Sequence, residues 1–226
     1  MTRQGSGADA AEESTNFLYP FIDSQEADSG ALLTDLASSA QAKAAESAAL
    51  RRATLDACAA LVDTAAAEMA RRFSAGGRLF TFGNGGSSTD SATLAGLFAR
   101  PPAGRPLPSW SLTADQAILT ALGNDVGFEL VFARQLIARA AAGDIAIAMS
   151  TSGSSADLTA ALREARRRGM YTVGFAGYDG GAFATSPDVD VCFVVRSQSV
   201  HRIQEAQALL GYQLWSTVHE KGFELS

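Results

Sequence analysis

The sequence predicts an α/β fold in which a parallel sheet is covered by helices on both faces. Three observations predict it. Four short apolar runs read as buried strands. Segments of helical periodicity lie between them, and such alternation argues for a parallel sheet between helical layers. Two turns rich in glycine and hydroxyl side chains each follow a strand, so both open onto the carboxyl edge of the sheet.

The elements follow in order. Residues 1 to 29 are polar and acidic and read as a flexible tail. Within them FLYPFI (17–22) is an apolar island suited to docking on a neighbour. Residues 30–75 are alanine-rich, with leucines and charges at helical spacing. They predict one or two long helices that stop near Ser74-Ala75-Gly76-Gly77. RLFTFG (78–83) is the first strand and 87–99 the helix after it. SWSL (109–112) is a short strand, followed by helices over 115–122 and 127–141. GDIAIAMS (143–150) is a strand, 154–168 a helix, MYTVGFAG (170–177) and VDVCFVV (189–195) strands, and about 200–220 the last helix. The predicted organisation is a tail, 1–29, and a single domain, 30–226, with helices over 30–75 and an α/β core over 78–220.

Composition narrows the function. A chain of 226 residues, 47% hydrophobic, can build one sizeable core. No apolar run approaches the roughly 18 residues of a membrane helix. MTRQGSGADAAEESTNF lacks the apolar centre of a signal peptide, so a cytoplasmic protein with no membrane partner is expected. A net charge of −6 argues against broad binding of nucleic acid through its phosphates. Cys58 and Cys192 read as buried free thiols. With two cysteines and two histidines a structural zinc site is not expected.

The first turn is Gly83-Asn84-Gly85-Gly86-Ser87-Ser88. Its glycines permit positive φ and close backbone approach. Ser87 or Ser88 is placed to cap the next helix, whose free N–H groups favour an anion. It matches neither the P-loop nor the dinucleotide fingerprint. The second turn, Ser150-Thr151-Ser152-Gly153-Ser154-Ser155, packs five hydroxyls into six residues. Capping needs one or two, so five suggest a cradle for the oxygens of one anion. Two such turns on one edge predict a phosphate ester as ligand.

The pieces GNGGSSTD, LTALGNDVGFELVFARQL, GDIAIAMSTSGSSADLTAALREARRRGM, GYDGGAF and RIQEAQ fall in order between residues 83 and 207. Together they resemble the sugar isomerase (SIS) domain family, in its phosphoheptose isomerase and DnaA initiator-associating protein branch. With the N-terminal helices the resemblance covers about residues 30–220. It implies a three-layer α/β/α sandwich around a five-stranded parallel sheet, with an N-terminal helical extension. It also implies homo-oligomers, usually tetramers, with sites at subunit interfaces. By the same resemblance Ser150, Thr151, Ser152 and Ser155 hold the sugar phosphate. Asn84, Gly85 and Ser87 of the first turn line the sugar, and Asp125 lies near the ligand of an adjoining region.

The chain departs from the isomerases where their chemistry sits. An aldose–ketose shift needs a base for a proton alpha to the carbonyl and an acid for the oxygen. The family places a histidine and a glutamate four apart after the first turn, and two further histidines on the last helix. Here those positions hold Thr93, Leu97, Gln207 and Tyr212. Of the family's metal-binding set Gln204 remains, and one donor does not make a zinc site that wants about four. Neither a metal nor another cofactor is expected. Glu205, Asp125 and His201 remain as candidate acid–base groups. His201 could pair with Glu205 one turn on, Glu205 could instead pair with a neighbouring helix, and Asp90 reads as a support of the turn through a cap or an ion pair.

Two functions follow as expectations. One is a sugar-phosphate-binding protein that senses a ligand, regulates, or scaffolds a protein partner. The alternative is a metal-independent aldose–ketose isomerase for sedoheptulose 7-phosphate or a related phosphosugar.

Overall fold

The computed structural model describes residues 29–224. The apolar island at 17–22 lies outside these residues. The chain divides into two compact units, Met1–Ala45 and Glu46–Ser226. Described residues of the first are helical, and the sheet, its covering helices and the site residues belong to the second.

In chain order the elements are α1 (Ser29–Ser74), β1 (Leu79–Gly83), α2 (Gly86–Ala99), β2 (Ser109–Ser111) and α3 (Gln116–Asp125). A 3-10 turn (Phe128–Leu130) follows, then α4 (Val131–Arg139), β3 (Ile145–Met149), α5 (Ala156–Arg167), β4 (Tyr171–Gly177), α6 (Gly181–Thr185), β5 (Val191–Val195) and α7 (Val200–Glu224). The five strands form one sheet in the order β2-β1-β3-β4-β5, every pair parallel.

Both sheet faces are buried, and side-chain alternation divides them. Leu79, Ile145, Ile147 and Val173 point into one core with Val62 and Met69 of α1, Leu94 and Phe98 of α2, and Leu210 and Leu214 of α7. Phe80, Phe82, Ala146 and Ala148 point into the other, with Phe132 and Leu136 of α4, Leu158 and Leu162 of α5, and Phe183 of α6. This period of two, apolar on both sides, is why the strands read as unbroken apolar runs. Each fully buried Leu or Phe contributes about 1.5–3 kcal/mol of transfer free energy.

The strands at the centre begin later than their apolar runs suggest. Asp144, 2% exposed, accepts hydrogen bonds from the backbone N–H of Arg78 (2.9 Å) and of Ala141 (2.8 Å). It also accepts from Arg78 Nε (3.2 Å) and Nη2 (2.7 Å). Arg78 and Asp144 thus close the amino edge, and the β1–β3 ladder starts at Leu79 and Ile145.

Two helical segments differ from the periodicity reading. α3 runs from Gln116 to Asp125, three residues past the expected end at 122. The segment expected as one helix over 127–141 starts instead with Gly127 at φ 96°, a 3-10 turn, and then α4. The basic run at the end of α5 is ion-paired: Arg167 and Arg168 with Glu164, Arg166 with Asp190. Cys58 is buried and Cys192 only half-buried, with burial pushing the Cys192 thiol up to about 11.

Chain order creates a reversal at β1 and β3. From β1 the chain steps outward to β2, then returns past β1 to β3 and continues the other way to β4 and β5. α2, leaving β1, packs with α7 on one face, whereas α5, leaving β3, packs with α4 on the other. The carboxyl ends of β1 and β3 therefore flank a crevice, the place where open α/β sheets bind ligands.

Candidate functional site

The two turns leave that crevice from paired residues, Gly83 and Met149. A Cβ at Gly83 would lie 2.6 Å from Ser87 O and 2.7 Å from Met149 O, so only glycine lets the strands and turn meet this closely. Gly85, at φ 55°, is the N-cap residue of α2 and supplies no side-chain cap. The helix begins at Gly86, one residue earlier than periodicity suggested. This corrects the expected capping by Ser87 or Ser88: Ser87 is buried within the first helical turn. The glycine N-cap leaves backbone N–H groups of this turn without a capping hydroxyl.

The second turn spends several hydroxyls on its own shape. Gly153 N–H donates to Ser150 Oγ (3.0 Å) and Ser154 N–H to Ser152 Oγ (3.3 Å). Ser154 Oγ accepts from the N–H of Ala182 (3.0 Å). Thr151 and Ser155 make no side-chain hydrogen bond among the described residues, although Ser155 holds the N-cap position of α5. Ser150 is buried, Ser152 exposed, and Thr151 and Ser155 lie between.

Two hydrogen bonds and one close approach join the turns to each other and to α7. Asn84 Nδ2 donates to Oδ2 of buried Asp157, at the start of α5 (2.8 Å). Gln207 Nε2 donates to Ser150 O (2.8 Å). Gln204, three residues earlier on the same helical face, lies over the other turn: a Cβ at Gly86 would be 2.2 Å from its Nε2. Asn84, Gly85, Ser87, Ser150, Thr151, Ser152, Ser155 and Gln204 are thus gathered at one crevice.

Sequence reasoning missed a clamp on the second turn. Gly153 (φ 64°) accepts at its carbonyl from Phe183 N–H (2.9 Å), and a Cβ on it would lie 2.3 Å from Gly180 O. Gly177 N–H donates to Thr151 O (2.9 Å). Tyr178 sits at φ 53°, where a non-glycine residue is uncommon. The available signal was the glycine density of GYDGG, whose partner in space was not apparent from the chain.

The acid–base candidates are not drawn together. Asp125 ends α3, is exposed, and accepts from its neighbour Asn124 (2.8 Å). Glu205 faces Arg51 of α1 at 3.9 Å. No hydrogen bond joins His201 to Glu205 among the described residues; of the two readings of Glu205, the structure shows the one in which it pairs with a neighbouring helix. Tyr212 is exposed and packs on Trp215.

A cavity of about 60 Å³ lies between α2 and α7, its wall including Asp90, Thr93, Leu97, Met149, Gln207 and Gly211. Asp90 forms no ion pair among the described residues, and its buried Oδ2 has no hydrogen-bond partner. The expected cap or ion pair is therefore corrected. Burial pushes the Asp90 carboxyl above its ordinary value. Thr93 Oγ1 is turned back to donate to Thr89 O (2.9 Å). The donor set does not fit a zinc ion: a threonine hydroxyl engaged with backbone, glutamine amides and one carboxylate replace the histidines and thiolates zinc prefers. A larger cavity, about 250 Å³, lies at the amino edge among Phe73, Leu107, Val218 and His219. It is apolar and holds neither turn.

Residues 44–177 match the SIS domain family. The chain is 43% identical over 172 residues to a phosphoheptose isomerase of Solidesulfovibrio magneticus, covering 74% of this chain and 81% of that protein. It is 40% identical over 179 residues to a phosphoheptose isomerase of a Roseiflexus species, covering 77% and 89%. The solved phosphoheptose isomerase of Neisseria gonorrhoeae superposes with a TM-score of 0.76 at 32% identity, over 82% of this chain and 99% of that one.

Proposed function

Because the chain belongs to the SIS domain family, in its phosphoheptose isomerase branch, we propose that it binds a phosphorylated sugar in the crevice between β1 and β3. The observation that carries this reading is the meeting of the two turns at the point where the strand order reverses, held by the bonds of Asn84 and Gln207 with Gln204 close over Gly86. Backbone N–H groups at the starts of α2 and α5 favour the phosphate. Thr151, Ser152 and Ser155 add hydroxyls, while Ser150 shapes the turn from within. Asn84, Gly85, Ser87 and Gln204 face the sugar.

In this reading binding is the function, as a sensor, regulator or scaffold. Thr93 and Leu97 occupy the positions of the family's histidine and glutamate, and a leucine cannot move a proton. The second reading is metal-independent isomerisation of sedoheptulose 7-phosphate, favoured by the 43% identity to a protein named phosphoheptose isomerase. Either reading is of a cytoplasmic homotetramer, and the exposed Trp110 and Phe128 support self-association.

One experiment tests both. The protein is incubated with sedoheptulose 7-phosphate without added metal, and product formation and thermal unfolding are followed together. Ligand at one hundred times its dissociation constant stabilises by about 2.7 kcal/mol, which gives a measurable shift. A shift without product is expected. Metal-independent turnover would establish the second reading, and neither shift nor product would count against the site itself.

A further inference from the structure

The apolar cavity at the amino edge, about 250 Å³, lies apart from both turns. Its walls are α1 (Ala70, Phe73), α7 (Val218, His219) and the loop between α2 and β2 (Arg105, Leu107). The loop wall is fixed in place. Gly104 sits at φ 84°, where a Cβ would lie 2.8 Å from His219 Cδ2. His219 Nε2 lies 3.1 Å from Arg105 O, and its Nδ1 lies 3.0 Å from Trp215 O. Leu107 N–H donates to Phe98 O (2.9 Å), and Phe98 stacks on Phe73 of the opposite wall, 5.8 Å between ring centres. Contacts made around the cavity thus hold it in shape, and preformed apolar cavities with a few polar groups are where small molecules bind. Its charge has one sign. Arg105 is exposed and forms no ion pair among the described residues, and no carboxylate belongs to the described wall. The carbonyls that end α1 do not answer it: those of Arg71, Arg72 and Phe73 accept from the N–H groups of Ala75, Gly76 and Gly77. Ser74, on the same wall, is exposed, and its hydroxyl makes no hydrogen bond among the described residues.

We propose that this cavity is a second ligand site, which takes an arylalkanoate: an aromatic ring against Phe73, Leu107 and Val218, and a carboxylate on Arg105 and the Ser74 hydroxyl. Size selects the ring. A cavity of about 150 Å³ holds benzene, so about 250 Å³ holds a ring with a short alkyl arm. Charge selects the acid. A carboxylate accepts from the guanidinium and the hydroxyl together, and both are donors without a partner. An arylalkanol of the same shape fills the same space but leaves Arg105 without a counter-ion. The site does not depend on the phosphosugar reading, because about 16 Å of helix separates Val218 from Gln207 at the second turn.

The test is a calorimetric titration of the full chain at neutral pH with phenylpropionate and with phenylpropanol. The acid should bind about 5- to 10-fold more tightly than the alcohol, as expected for a charge-assisted hydrogen bond at a solvent-facing rim. In Arg105→Gln, a change on an exposed loop, the two should bind within about 2-fold of each other while the alcohol binds as before. Ala70→Leu puts a larger side chain into the cavity and should abolish binding of both. Should that variant not fold, Arg105→Gln and the unaltered protein still decide. Equal affinity for acid and alcohol in the unaltered protein would overturn the proposal, and so would a preference for the acid that survives Arg105→Gln. No heat with either probe, as when a second copy of the chain covers the cavity, would overturn it as well. Neither probe carries a phosphate, so each of these failures leaves the phosphosugar reading standing.

Discussion

Replacing Gly153 by alanine probes the clamp on the second turn. Gly153 lies at φ 64°, a backbone region that costs an alanine roughly 1–2 kcal/mol. Its new Cβ would lie 2.3 Å from Gly180 O, against 3.4 Å or more for ordinary contact, so one backbone segment must retreat by about 1 Å. That movement weakens the bond from Phe183 N–H to Gly153 O, worth about 1 kcal/mol. The sum is roughly 2–3 kcal/mol. For a chain of this size each kcal/mol moves Tm by about 2–4 °C, so Gly153→Ala should melt roughly 4–12 °C lower. Gly96→Ala is the control. A Cβ at Gly96 meets nothing within 4 Å in the last turn of α2, and alanine there should stabilise by about 0.5–1 kcal/mol. Differential scanning calorimetry reads both. A Tm for Gly153→Ala equal to that of the unaltered protein, or a Gly96→Ala variant harmed as much, would refute the steric argument.

The remaining predictions concern charge. Asp144→Ala removes the acceptor of the backbone donors of Arg78 and Ala141, while the partly exposed Arg78 guanidinium keeps Arg139 O. Leaving the donors of this edge unpaired costs about 2–4 kcal/mol, a Tm loss on the order of 10 °C, and a loss under about 1 kcal/mol would contradict the role given to this edge. Burial raises the Asp90 carboxyl, so the folded state holds its proton more tightly than the unfolded chain. The stability due to that proton is complete below the unfolded value, about 4, and is lost as pH rises through the folded value. Asp90→Asn should therefore gain stability over the unaltered protein between acid and neutral pH in urea unfolding; a pH-independent difference would contradict this. Glu68 titrates at about 2, drawn down first by its hydrogen bond to Arg71. Its contribution should be present above the ordinary carboxylate range and fall away as pH drops toward about 2, so Glu68→Gln should destabilise at pH 7 and converge with the unaltered protein in strong acid.

Much of the fold was legible because its signals are local. Buried strands such as IAIAM are apolar at every position, and the turns at 83–88 and 150–155 follow them at once. Boundaries were less legible where a distant group sets them: Asp144 fixes where β1 and β3 begin, and that contact spans 66 residues. The first turn was read with a serine cap because its sequence offers two, yet Gly85 at positive φ starts the helix sooner. The candidate site was half legible. Residue types pointed to the two turns that meet at the crevice, and counting along α2 set Thr93 and Leu97 against the positions of the resemblance's histidine and glutamate. That Gln204 and Gln207 each address one turn, and that GYDGG braces Gly153, depends on α7 and α6 folding back across the sheet edge. His201 and Glu205 lie at a helical spacing that permits pairing, but Glu205 is turned toward Arg51.

The central claim is that the two turns form one phosphosugar site, and a calorimetric titration with sedoheptulose 7-phosphate tests it most directly. The unaltered protein should bind. Ser152→Ala, which removes an exposed cradle hydroxyl, should weaken binding about 5- to 10-fold, as expected for one hydrogen bond. An unchanged dissociation constant in the variant, or no heat of binding in the unaltered protein, would contradict the claim.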